Sequence, residues 1–110
     1  MKNKAGKTTA PRQVGLAMEA SCKEHDTGYG HPEQPARFDA VQAGIKAVGI
    51  PDCWKRLELT RVPADALLRC HEKIYLDTVE RDFESGATQL STGDTVICPK
   101  SRKIALLAAG

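Results

Sequence analysis

A chain of 110 residues holds at most one domain and sits below the usual length of a complete enzyme. Its 16 basic and 14 acidic residues leave a net charge of +2, too even for a protein that holds nucleic acid by electrostatics. Leu, Ile, Val and Phe supply only 22 of the residues, so a core can form but is thin, contributing on the order of 3–5 kcal/mol net.

Residues 1–13 carry Lys2, Lys4, Lys7 and Arg12 without an apolar stretch, which reads as a flexible basic tail and not a secretory signal. No apolar run approaches the ~18–20 residues needed to span a membrane, so no membrane partner is expected. The remainder, residues 14–110, reads as mostly helical with one or two short strands, and its thin apolar content hints at a piece that packs against a partner surface. Cys22, Cys53, Cys70 and Cys98 lie far apart with no C-x-x-C pair, a spacing that fits a reducing cytoplasm.

In chain order, residues 14–18 (VGLAM) form a short apolar run that suits a buried strand, with Gly15 as its weak point. Residues 20–34 are polar and rich in Gly and Pro, hence a loop. Phe38, Val41, Ile45 and Val48 then recur at spacings of three and four, which stacks them on one helix face. Pro35 suits that helix's first turn, and Gly49 followed by Ile50 and Pro51 stops it.

Residues 56–62 (RLELTRV) alternate enough for a short extended segment, and Pro63 opens a short helix. A longer helix follows, with Tyr75, Val79 and Phe83 on one face and Gly86 as its stop. An extended piece is expected at residues 95–98, then a last helix begun by Pro99. Lys100, Arg102 and Lys103 crowd the first turn of that helix, where its dipole disfavours cations by about 0.3–1 kcal/mol each.

Several groups invite chemistry. Cys22, His25 and His31 give C-x2-H-x5-H, with Cys70 or His71 as a fourth candidate ligand. A structural zinc site normally shows two close pairs, whereas only one loose pair is present; the plainer reading has these histidines capping backbone groups. His25 beside Asp26 suggests an oriented base, but adjacent side chains on an extended chain diverge, and nothing fixes Ser21 near either histidine. Cys70 and His71 likewise diverge at consecutive helical positions, and Cys70 reads as a small buried residue. The glycines of DTGYG match no phosphate-binding pattern.

Three blocks taken in order resemble the histone deacetylase superfamily, including its acetoin-utilisation and acetylpolyamine amidohydrolase-like branches and class II deacetylases. GLAMEASCKEHDTGYGHPEQPARFDAV is similar to the family's first strand and its H-D-x-G-x-G-H-P-E-x-P-x-R loop. LLRCHEKIYLDTVE resembles its L-x-x-x-H-x-x-x-Y segment. TGDTVICPKSRKIALLAAG resembles its G-D-T-x-x-[SC]-P segment and the helix that follows.

The resemblance implies the N-terminal third of an arginase/deacetylase-like α/β parallel-sheet domain. The family's zinc, held by two aspartates and a histidine, belongs to blocks absent from this chain, so no cofactor, metal ligand or catalytic residue is assigned here. By the same resemblance His25, Asp26, His31 and Pro32 belong to the loop shaping the substrate tunnel's rim. Arg37 matches an arginine lining an internal channel, with a salt-bridge role at the helix start as its plainer reading. Asp94 matches a rim acceptor for the substrate backbone, or else is a turn residue. The basic KSRK departs from the small or acidic residues of relatives.

The expected function is that of a truncated zinc-dependent deacetylase, inactive alone, whose parent hydrolyses acetyl-lysine or acetylpolyamine amides. The alternative is a non-catalytic binding or self-assembling module. Its partners would be a second copy or a complementing C-terminal deacetylase segment.

Overall fold

The computed structural model describes residues 12–51 and 53–110. The tail expected at residues 1–13 therefore lies outside the described residues, save Arg12 and Gln13, which lead without regular structure into the first strand.

Strand β1, Val14–Ala17, pairs in parallel with β2, Trp54–Leu57, in the register Val14↔Trp54 to Ala17↔Leu57. Parallel partners need a long crossover, and helix α1, Ala36–Val48, lies within the connecting chain. The unit is thus mixed α/β, mostly helical with two short strands, as expected. The second strand begins and ends earlier than its Leu57/Leu59 alternation predicts, and residues 58–63 are irregular. Pairing with a four-residue partner sets its length, because β1 ends just before the chain coils into a 3-10 helix at Ala20–Glu24. That 3-10 turn corrects the expectation of plain loop from residue 20.

Gly15 has a packing role rather than being a weak point. A Cβ there would lie 2.5 Å from Leu57 Cδ1, so glycine lets the Leu57 side chain cross the strand. Helix α1 ends as its sequence dictates. Gly49 turns to φ 86°, ψ 149°, while its N–H reaches the Ile45 carbonyl at 2.9 Å. Such dihedrals are essentially confined to glycine, so Gly49→Ala is expected to destabilise the fold by about 1–3 kcal/mol, read as a lower denaturation midpoint.

Beyond β2 come α2, Ala64–Leu67, α3, Lys73–Glu84, and α4, Ser101–Ala109. Between α3 and α4, Gln89 and Val96 form an antiparallel bridge, supported by Leu90 N–H to Thr95 O and Ile97 N–H to Thr88 O. The extended piece expected at residues 95–98 is this bridge. Helix α4 is tied to residues 60–62 by the Val62 N–H, which donates to the Leu106 carbonyl at 2.9 Å.

The buried apolar residues are Val62, Leu90, Ile97 and Ile104, all in the second half of the described chain. The apolar face of α1 is not buried. Val41 is 55% exposed and Val48 89%, and no residue of the helix is buried. No described helix is long and apolar enough to cross a membrane.

Candidate functional site

The carboxyl end of β1 feeds the 3-10 helix, whose last residue precedes His25. From there the loop folds onto the start of α4. His25 Nδ1 lies 2.6 Å from Ser101 Oγ, across 76 positions of sequence. The Cys98 N–H donates to the same hydroxyl at 2.8 Å, and the Ser101 N–H donates to the Cys98 carbonyl at 2.9 Å. Ser101 thus closes the first turn of α4 with both its backbone and its side chain, and is itself buried.

The Cys98 sulfur completes the junction. It lies 3.3 Å from both the Ser101 hydroxyl and the Glu24 carbonyl, and 3.4 Å from the Asp26 N–H. Burial pushes the thiol up, but hydrogen bonds from the Ser101 hydroxyl and from the Asp26, Lys100 and Ser101 backbone outweigh it. The thiol is held below its ordinary value.

One hydroxyl proton permits two consistent arrangements. Either Ser101 O–H donates to His25 while the Cys98 thiol donates to Glu24 O, or His25 Nδ1–H donates to Ser101, whose proton turns to the sulfur. The second arrangement suits the thiolate, since a sulfur without a proton can only accept.

Charge reinforces the same junction. Lys100 reaches Glu24 at 3.6 Å, Arg102 pairs with Glu80 of α3, and Lys23 pairs with Asp39 of α1 at 3.0 Å. The basic first turn of α4, disfavoured by the helix dipole alone, is placed against acids from two other elements. These pairs are partly exposed and contribute little each, about 0–1 kcal/mol. The Lys100 and Arg102 pairs tie the start of α4 to the 3-10 helix and to α3, and the Lys23 pair ties the 3-10 helix to α1.

The remaining candidates separate. The Asp26 carboxylate accepts the Gly28 N–H at 2.9 Å, a local turn. The Glu33 N–H donates to His31 Nδ1 at 3.0 Å, and Pro32 is exposed beside it. Arg37 pairs with Glu33 on the surface, one helical turn away. Asp94 is exposed in the turn preceding Val96, beside Gly93, whose carbonyl accepts from Gln89 Nε2. His25 and Asp26 therefore meet the Cys98–Ser101 segment, whereas His31, Pro32, Arg37 and Asp94 do not.

His25 and His31 engage different partners, and among the described residues no three His, Cys, Asp or Glu side chains gather as a metal would require. The described residues do not fit a zinc centre. Cys70, expected buried, is exposed in the turn after α2, and His71 instead stacks on Tyr75 with ring centroids 5.5 Å apart. Sequence reasoning misses Ser101 as the partner of His25 and Cys98 as the partner of Glu24 and Asp26. A serine three residues into C-P-K-S is a helix-start signal, but a contact across the whole chain leaves no local trace.

Beside the junction an open groove of about 1130 Å³ runs between α3, α4 and residues 61–68. Leu67, Leu76, Val79, Phe83, Ile97 and Ile104 give it an apolar lining, and His25 and Ser101 also border it.

No family model matches the chain. It is 31% identical over 98 residues to an uncharacterized protein from Synechocystis sp., a match taking in 86% of this chain and 32% of that protein. The chain thus spans about a third of the length of the curated relative it matches.

Proposed function

We propose that the chain is the N-terminal portion of a zinc-dependent deacetylase-type domain with an arginase/deacetylase-like parallel sheet. Its parent reaction is hydrolysis of an acetyl-lysine or acetylpolyamine amide. The observation that carries this reading is the contact of its first and third sequence blocks, which meet through His25, Cys98 and Ser101 at the end of a parallel strand. Ligand-binding loops of parallel α/β sheets gather at the carboxyl ends of strands.

The role of the chain is structural and positional. It supplies the loop of His25, Asp26, His31 and Pro32 at the rim, Asp94 as a backbone acceptor there, and Arg37 towards the internal channel. The zinc ligands come from outside these residues, so the chain alone has no turnover. Four free cysteines are in keeping with a reducing, cytoplasmic setting.

The test is a chimera in which this chain replaces the 98 matched residues of the Synechocystis protein. Hydrolysis of an acetyl-lysine peptide that is lost with a chelator and restored by zinc is the expected result, with none from this chain alone. A folded chimera that neither binds zinc nor cleaves the amide would overturn the reading, and so would turnover by the chain alone.

The bare α1 ridge favours a second reading, a self-assembling module without catalysis. A monodisperse monomer by light scattering counts against it.

A further inference from the structure

Unpartnered apolar surface lies on separate elements of this chain. The groove between α3 and α4 is one. The α1 ridge with Val41 and Val48 is a second, and the two-stranded parallel sheet, with Leu57 54% exposed, is a third. Parallel sheets are ordinarily covered on both faces, and two strands alone are only marginally stable. Among the described residues only four apolar side chains are buried in return.

We infer that the α3–α4 groove is a docking surface for the polypeptide that, in the longer relative, makes up the two-thirds of the chain not matched here. The inference rests on the reading above only in treating these residues as part of a larger domain. Its test reads binding, not turnover.

Two observations select this occupant. The first is length: the matched residues account for 32% of the relative, so the same elements there belong to a chain about three times as long. The second is the distribution of bare surface. A two-fold contact with a second copy joins one patch to its own equivalent and leaves the others open. A longer polypeptide covers groove, ridge and sheet together.

The groove also states the chemistry of its occupant. Its floor is aliphatic and aromatic, and the charges on its border are largely paired already, Arg102 with Glu80 and Lys73 with Asp77. It fits a segment presenting consecutive large apolar side chains, with few charges to bury.

The experiment uses the chimera with protease sites at its junctions, so that neither part must fold alone. After cleavage the two parts are expected to co-migrate as one 1:1 particle in size-exclusion chromatography with light scattering. Ala105→Arg and Ala108→Arg, at exposed positions lining the groove on α4, are expected to weaken that association at least about tenfold (~1.4 kcal/mol) while helix content stays unchanged.

Separation of the parts on cleavage would overturn the inference, as would association indifferent to both variants. A dimer of this chain alone that Ala105→Arg breaks would assign the groove to a second copy instead. An aggregated chimera beside a monodisperse isolated chain would also count against it. A tight complex without hydrolysis leaves this inference standing and removes the deacetylase reading.

Discussion

Ile104→Ala is expected to abolish cooperative unfolding of the isolated chain. Ile104 lies on α4 and is, among the described residues, one of four buried apolar ones, with Val62, Leu90 and Ile97. Truncating a buried isoleucine typically costs about 2–5 kcal/mol in transfer and cavity terms. A core of this size contributes on the order of 3–5 kcal/mol net, so the loss is comparable with the whole. A thermal melt followed by circular dichroism should change from sigmoidal to gradual. Ile74→Ala, at a position 69% exposed on α3, should leave the melt sigmoidal and change stability by no more than about 0.5 kcal/mol. Equal effects of the two substitutions would show that the stability lies elsewhere.

Ser101→Ala should loosen the His25 loop and raise the Cys98 thiol together. The hydroxyl accepts the Cys98 N–H and faces His25 Nδ1, and both would lose a partner near a buried position, at a cost of about 1–3 kcal/mol. With the hydroxyl gone, burial acts on the thiol against fewer compensating hydrogen bonds. In the unaltered chain the folded thiol is held below its unfolded value, so the native state binds fewer protons between the two. Its contribution to stability is present above the ordinary thiol value and is lost as the pH falls through the lowered one. The pH profile of Cys98 alkylation should move upward in Ser101→Ala, and the gain of stability with pH in that window should shrink. An unmoved profile would mean that Ser101 does not hold the sulfur.

Local signals in the sequence mark most of the helices and misplace what packs against them. Gly49 and Gly86 end α1 and α3 as composition suggested, because a positive φ is readable from a glycine in a helical pattern. The first strand is legible in VGLAM, but it stops at Ala17 and is largely exposed where a buried strand was expected, since its single partner strand covers only one edge. The second is shifted, since its limits come from a partner strand some forty positions away, which alternation cannot report.

The periodicity of Phe38, Val41, Ile45 and Val48 predicts a helix correctly, yet not burial. An apolar stripe states that a surface is to be covered; it does not say by what. Cys70 fails for a related reason, because the general tendency of cysteine to be buried yields to its place in a turn.

The site divides along the same line. The loop from His25 to Pro35 is legible through its Gly and Pro punctuation, and the salt bridge of Arg37 to Glu33 is a one-turn helix-start contact. The ion pairs of Lys100 and Arg102 are not legible, since their acids lie in the 3-10 helix and in α3. A first turn rich in lysine and arginine looks misplaced on an isolated helix and becomes intelligible only when the neighbouring acids are known.

The central claim is that the His25 loop and the start of α4, 76 positions apart, form one unit. Nuclear Overhauser contacts between the His25 ring and the Ser101 β protons test it most directly. With Nδ1 and Oγ 2.6 Å apart, these contacts are predicted in the folded chain. Their absence, in a spectrum where α4 and the Gln89–Val96 bridge are both formed, would contradict the account.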